Sequence, residues 1–224
     1  MTSHHVDHRA HVEPGGASYV LDLAGVTMRK TSVSSMDNNC YLLTCASSGE
    51  QLLVDAADDA DRLGALIDEG SGTLHTVVTT HQHWDHHRAL ADVVQRHRPR
   101  TAAGTDDAEA LPVRPQVRLD HGDTLQVGSI RLDVVGLRGH TPGSVALALT
   151  DTQGRTHLLT GDSLFPGGPG KTPSDADFAQ LMDDLESRVF AAYGDDTVVH
   201  PGHGDGTTLG AERPQLAQWR ERGW

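Results

Sequence analysis

The sequence predicts an α/β fold formed by a single domain, on three observations. Its 224 residues are enough to bury one substantial core. Short apolar runs with strand patterning fall in two stretches, one early and one late, and segments with helical periodicity separate and follow them. No internal repeat, coiled-coil pattern or low-complexity linker divides the chain. The expected organisation is a disordered N-terminal segment over residues 1–17 and one domain over residues 18–224.

The first strands are read at Val20 to Leu23, Cys40 to Leu43 and Leu52 to Val54, the last ending in Asp55, and together they suggest an antiparallel meander. Asp58 to Glu69 places Leu63, Leu66 and Ile67 on one helical stripe, and Leu74 to Thr80 returns as a buried strand that runs directly into His81. A helix is expected from about Asp85 to His97, with Ala89, Leu90, Val93 and Val94 inward. Strands follow at Ile130 to Leu137, Val145 to Leu149 and His157 to Thr160, and Val145, Leu147 and Leu149 alternate as one face of a sheet. Ser174 and Asp177 resemble a capping box with Asp in place of Glu, and Phe178, Leu181, Met182, Leu185 and Val189 recur behind them at helical spacing. Thr197 to Val199 reads as the last strand and Leu209 to Arg222 as a terminal helix.

A net charge of −13 argues against a nucleic-acid partner, because neutralising phosphates needs a surplus of Lys and Arg on one face. The two cysteines, Cys40 and Cys45, lie in one strand at positions of opposite parity, so a disulfide between them is not expected. Cys40, after Asn38-Asn39, reads as a small buried strand residue. The first residues lack the apolar core of a signal peptide, and no apolar run is long enough to span a bilayer. A cytoplasmic protein acting on a small molecule, without a membrane or nucleic-acid partner, is the expectation. His4, His5, His8 and His11 are irregularly spaced in a polar terminus and are set apart from the metal-type residues below.

Those residues begin with His81-Gln82-His83-Trp84-Asp85-His86, four potential ligands in six positions directly after a strand. Three more stand in Gly- or Pro-rich turns: His140 in Gly139-His140-Thr141-Pro142-Gly143, Asp162 in Gly161-Asp162-Ser163, and His203 in Pro201-Gly202-His203-Gly204. Imidazole nitrogen and carboxylate oxygen together suit zinc, iron or manganese, and no nearby Cys suggests a structural zinc site. In an extended turn His81 and His83 can face one metal, while Asp85 and His86 face a second. His140 can complete the first site, His203 the second, and Asp162 can bridge them through its two oxygens. Two divalent ions, zinc before iron or manganese, are therefore expected, with Asp85 and Asp162 as the catalytic carboxylates of a hydrolytic centre. His200 competes with His203, which is preferred because His200 falls at a strand end.

On these motifs, together with Thr160 to Gly168 and Thr207-Thr208, the chain resembles the metallo-β-lactamase superfamily and, within it, the glyoxalase II-like thioester hydrolases. The resemblance covers residues 19–213 and implies a four-layer αββα sandwich. It implies His81, His83 and His140 on one metal, Asp85, His86 and His203 on the other, and Asp162 between them. It gives Asp55 the role of supporting the metal loop by hydrogen bonds without ligating, and it gives Lys171 the role of holding the thiol-derived part of a substrate. Trp84 is left open between the pocket mouth and a packing position. His87 and Arg88 stand where the family has small residues, which implies a narrower or more basic rim. The chain ends at Trp224, shortly after His203, without the helical extension that grips glutathione in full-length glyoxalase II. Gly204 and Asp205 also replace a tyrosine there, so a different low-molecular-weight thiol is expected.

Hydrolysis of a small acyl thioester is the leading expectation. The first alternative is a persulfide dioxygenase with one iron on His81, His140 and Asp162. A lactone hydrolase is the second, opposed by Phe165 where that group has tyrosine. A non-catalytic binding module would have lost ligands, and none is lost.

Overall fold

The structure, a computed structural model, describes residues 10–223. His4, His5 and His8 lie outside the described residues, as does the first part of the segment 1–17. Residues 10–16 lie along the second strand of the domain, where Val12 is buried and Gly15 N donates to Ser32 O at 3.1 Å.

Seven strands make the first sheet: β1 (Tyr19–Asp22), β2 (Val26–Val33), β3 (Asn38–Cys45), β4 (Gln51–Val54), β5 (Leu74–Thr79), β6 (Arg100–Gly104) and β7 (Val117–Leu119), in spatial order as in sequence. The pairing is antiparallel from β1 to β4 and parallel from β4 to β7. Helices α1 (Ala60–Glu69) and α2 (Leu90–His97) make the crossovers from β4 to β5 and from β5 to β6, as parallel neighbours require. The second sheet contains β8 (Thr124–Val127), β9 (Ile130–Gly136), β10 (Val145–Thr150), β11 (Thr156–Gly161), β14 (Val198–Pro201) and β15 (Thr207–Thr208). A short hairpin of β12 (Leu164–Phe165) and β13 (Gly168–Pro169) stands apart. The remaining helices are α3 (Asp175–Asp184), α4 (Leu209–Glu212) and α5 (Leu216–Arg222).

Strand parity sorts the apolar residues into three cores, and three cores define four layers. Met28, Tyr41, Leu43, Leu52, Val54 and Val78 of the first sheet meet Leu132, Val134, Leu147 and Leu159 of the second. The opposite parity of the first sheet, with Cys40, Leu42, Leu53 and Val77, packs under Leu63, Leu66, Ile67, Leu90 and Val93 of α1 and α2. Val135, Ala146, Ala148, Leu158 and Val199 of the second sheet pack under Phe178, Leu181, Met182 and Trp219. This is the αββα sandwich, and Cys40 and Cys45 belong to different cores as free thiols.

Two expectations change in detail, and one long strand was not expected. Val26–Val33, mixed in polarity, is a full strand whose interior carries the buried Lys30, Thr31 and Ser32. The helix expected from Asp85 begins instead as a 3-10 turn over Trp84–His86 and becomes α-helical at Leu90, because the first turn is bent around the ligand residues. The terminal helix is interrupted by a 3-10 turn at Arg213–Gln215, where Pro214 has no N–H to continue the ladder.

Leu147, fully buried at the centre of the sandwich, sets a stability test. Leu147→Ala should cost about 2–5 kcal/mol through lost burial and a residual cavity, whereas Val20→Ala, at a half-exposed position, should stay within about 0.5 kcal/mol. Urea unfolding midpoints measure both.

Candidate metal centre

The centre is built where one end of each sheet converges. Asp55, buried at the end of β4 in a left-handed conformation (φ 60°), accepts from Thr80 N at 2.7 Å and from Thr80 Oγ1 at 2.8 Å. The parallel neighbour β5 is thereby fixed at its exit. From Thr80 the chain bends at His81 and Gln82 before an extended His83, and the 3-10 turn over Trp84–His86 brings Asp85 and His86 to an adjacent position. Val145 N of β10 donates to Thr80 O at 2.9 Å and joins the two sheets at this point.

Asp107 ties two ligand loops together. Fully buried, it accepts from Gln82 N (2.9 Å), between His81 and His83, and from Thr141 Oγ1 (2.5 Å) and Gly143 N (2.7 Å), beside His140. Asp162 follows β11, where Ser163 N donates to Thr160 O at 3.1 Å. His203 follows β14, and its loop rests on the turn between β2 and β3: Asn39 N donates to Gly202 O at 2.7 Å and Gly204 N to Asp37 O at 3.2 Å. Gly202 is required by proximity, since a Cβ there would run into the Asp162 carboxylate and the His86 ring.

Three groups of side chains have ligand atoms within 4.8 Å of one another: His81, His83 and His140; Asp85, His86 and His203; and His81, His86 and Asp162. All seven residues singled out in the sequence are thus gathered, and Asp162 stands between the two outer groups. Its carboxylate lies 3.4 Å from His86 Nε2 and His203 Nε2, 3.6 Å from His140 Nε2 and 3.9 Å from His81 Nε2.

Hydrogen bonds on the outer ring nitrogens decide what the inner ones offer. His86 Nδ1 faces Asp55 Oδ2 at 2.9 Å, His203 Nδ1 faces Met36 O at 2.8 Å and His140 Nδ1 faces Lys171 O at 2.6 Å. Each partner only accepts, so each Nδ1 carries the proton and each Nε2 points inward as a lone pair in the neutral ring. His81 Nδ1 faces Thr80 Oγ1 at 3.0 Å, whose own proton goes to Asp55, with the same result. In the neutral rings lone pair would face lone pair at His86 Nε2 and His203 Nε2, 3.1 Å apart, and His83 Nδ1 lies 2.9 Å from His140 Nε2. His81 Nε2 and Asp162 Oδ1 are buried with no hydrogen-bond partner. Converging acceptors with orphaned buried atoms fit a cation, and the N/O donor set fits a divalent transition metal.

Charge follows the same logic. Burial, then the neighbouring His86, holds His81 well below the usual imidazole range, so it is neutral. Burial also pulls on His86, but Asp55 and Asp162 more than offset it and lift the ring to about 10. His203, opposed by burial, is lifted to about 10 by Asp162 and Asp85. Asp85 and Asp162 resist burial through His203 and their other donors and stay ionised, far below the usual carboxylate range. In the metal-free protein, protons on His86 and His203 stand where a cation would.

The other expected positions are also located. Asp55 supports two loops and does not face the centre. His200 turns away, pairing with His157 at 3.0 Å, which separates it from His203. His11 meets Asp205 at 3.0 Å outside the cluster. Lys171 touches the centre through its carbonyl on His140, and its side chain is exposed. Trp84 is exposed at the surface with the Arg88 guanidinium stacked 3.6 Å from its ring centroid, so Arg88 is occupied by that ring and by Asp58 (2.8 Å). Phe165 approaches His203 from the hairpin, with ring centroids 6.4 Å apart. Two contributors were not anticipated: Asn38, whose Nδ2 donates to Asp85 Oδ2 at 2.9 Å, and Asp107. The Asn38-Asn39 doublet was a visible signal for the first; nothing local marks Asp107.

A family model described as the metallo-beta-lactamase superfamily matches residues 36–203. Hydroxyacylglutathione hydrolase from Ruegeria pomeroyi is 33% identical over 169 residues, which cover 75% of this chain and 62% of that protein. The chain therefore spans less than two thirds of that relative's length. Among solved structures, ETHE1 from Myxococcus xanthus matches with a TM-score of 0.75 at 28% identity, over 85% of this chain and 84% of the other. TTHA1623, solved in a di-iron-bound form, matches with a TM-score of 0.63 at 29% identity, over 82% and 96%.

Two outcomes follow from the geometry. Asp55→Ala, which removes an acceptor from Thr80 and His86, should weaken metal binding by about 10- to 100-fold in a chelator competition. Metal uptake must also displace protons from His86 and His203, whose raised values keep them protonated in the metal-free protein. Apparent zinc affinity should consequently fall as pH is lowered from about 8 to about 6, by roughly tenfold per pH unit for each proton displaced.

Proposed function

Because the chain belongs to the metallo-β-lactamase superfamily, we propose that it is a metal-dependent hydrolase of a small acyl thioester, with a dinuclear centre. In this proposal His81, His83 and His140 hold one ion, Asp85, His86 and His203 hold the other, and Asp162 bridges them. The observation that carries it is the completeness of both outer groups around Asp162, each with its own supporting hydrogen bonds. Zinc is proposed for both positions, with iron or manganese as the other candidates; the di-iron form of TTHA1623 supports a pair of ions on this scaffold. When bound, such a pair supplies an acidified water and an electrophile for a carbonyl oxygen.

The residues of the chain supply the rest. Asp162, kept ionised, turns Oδ2 toward His81, His140 and His203 and Oδ1 toward His86, so it stands between the two groups. Asp85, also ionised and oriented by Asn38, would hold the second ion together with His86 and His203. A thiolate leaves without a strong general acid, so the lack of a further acid among these residues is no obstacle. Phe165 and the exposed Lys171 flank His203 and His140 respectively, and Lys171 is proposed to hold the thiol-derived part of the substrate. The hydroxyacylglutathione hydrolase of Ruegeria pomeroyi supports a thioester as the substrate class.

The likeness to ETHE1 favours one second reading, a persulfide dioxygenase with a single iron on His81, His140 and Asp162. That reading leaves Asp85, His86 and His203 as an unused, fully supported group.

Metal analysis joined to a panel of thioester, lactone and persulfide substrates separates the two. About two transition-metal ions per chain with thioester turnover is the expected result; a single iron with oxygen consumption would overturn the hydrolase. Asp162→Ala should abolish thioester turnover while the protein still folds, at a cost in stability at neutral pH because, against burial, the Asp162 carboxyl is held ionised far below its usual range by His203 and His86. Retained turnover would misplace the bridge.

A further inference from the structure

Lys30 is one of two lysines in the chain, and it lies in β2 with only 5% of its surface exposed. A buried ammonium is costly unless its donors are used. Lys30 Nζ donates to Gly204 O at 2.6 Å and to Ala10 O at 3.0 Å. Gly204 immediately follows His203. Burial lowers the Lys30 pKa, opposed by Asp37 and Asp205, two carboxylates beside the same loop.

The loop depends on such donors because it is not in a helix and only its start lies in a strand. Pro201 O accepts from Tyr41 Oη at 2.7 Å and Asn39 Nδ2 at 2.9 Å, and Gly204 O accepts from Asn39 Nδ2 at 2.9 Å besides Lys30. Every one of these donors comes from β2 or β3. His203 itself is anchored on its outer side by a single backbone carbonyl, Met36 O, from the turn between those strands. A shift of the Gly204 carbonyl would carry the imidazole with it, whereas His81, His83 and His140 hang from Asp55, Asp107 and Lys171 O and make no contact with Lys30.

We propose that Lys30 is a positioning residue of the metal centre, whose ammonium fixes the loop carrying His203 and so sets the affinity of one of the two metal positions. The inference rests on the dinuclear reading above. The two positions should respond differently to its loss, which a general weakening of the fold would not produce.

A double-mutant cycle on the full chain reads this directly, using zinc and a chromophoric chelator. Wild-type protein binding fewer than two ions would refute the dinuclear reading itself. Given two, Lys30→Met should weaken one ion by at least about tenfold and leave the other within about twofold. In a His83→Ala background the loss should persist; in a His203→Ala background Lys30→Met should have no effect on the remaining ion. Cobalt loading adds a second readout: the absorption of the weakened position should change while that of the other is retained. Equal losses at both positions, or no loss at either, would overturn the proposal. Lys30→Gln, which keeps one donated bond, replaces Lys30→Met if that variant does not fold. Failure of both to fold would assign Lys30 to the core and overturn it equally.

Discussion

The centre depends on the carboxylate of Asp55. Its two oxygens receive the backbone and hydroxyl of Thr80 and the Nδ1 proton of His86, so one buried group fixes the exit of β5 and the orientation of two imidazoles. Through Thr80 Oγ1 it also determines which nitrogen of His81 faces inward. An acceptor that receives three donors in a buried position is hard to replace, because any one left unpaired costs about 1–3 kcal/mol. The left-handed backbone at Asp55 is a cost borne for this placement.

Around that group the remaining supports share a pattern. Asp107 and Asn38 are polar side chains whose partners are distant in sequence, and each connects ligand-bearing segments that no secondary structure joins. The sandwich provides the rigid part. Its inner core aligns the ends of β4, β5, β10, β11 and β14, and the polar groups then set the last ångström of each loop.

The ligands were legible in the sequence because their spacing is local: His81 to His86 is one short run, and His140, Asp162 and His203 each stand in a turn with Gly or Pro. The layers were legible where one parity of a strand is apolar, as at Val145, Leu147 and Leu149. They were less so in Val26–Val33, whose buried Lys30, Thr31 and Ser32 look like a surface pattern; Lys30 and Ser32 are inside because they meet the N-terminal segment and the turn after β2. Asp107 was illegible for a related reason. An isolated Asp in a polar stretch carries no local mark of three donors arriving from residues 82, 141 and 143. The helix expected from Asp85 failed at its start because propensity yields where the backbone must follow ligand geometry.

The joining of the sheets has a mechanical meaning. His81, His83, Asp85 and His86 hang from the first sheet, while His140, Asp162 and His203 hang from the second. Ions held between them would act as rivets across the sandwich seam. Sliding of one sheet over the other would strain both ions together, so packing far from the centre, at Leu132 or Leu159, becomes part of the gauge that sets the distance between them.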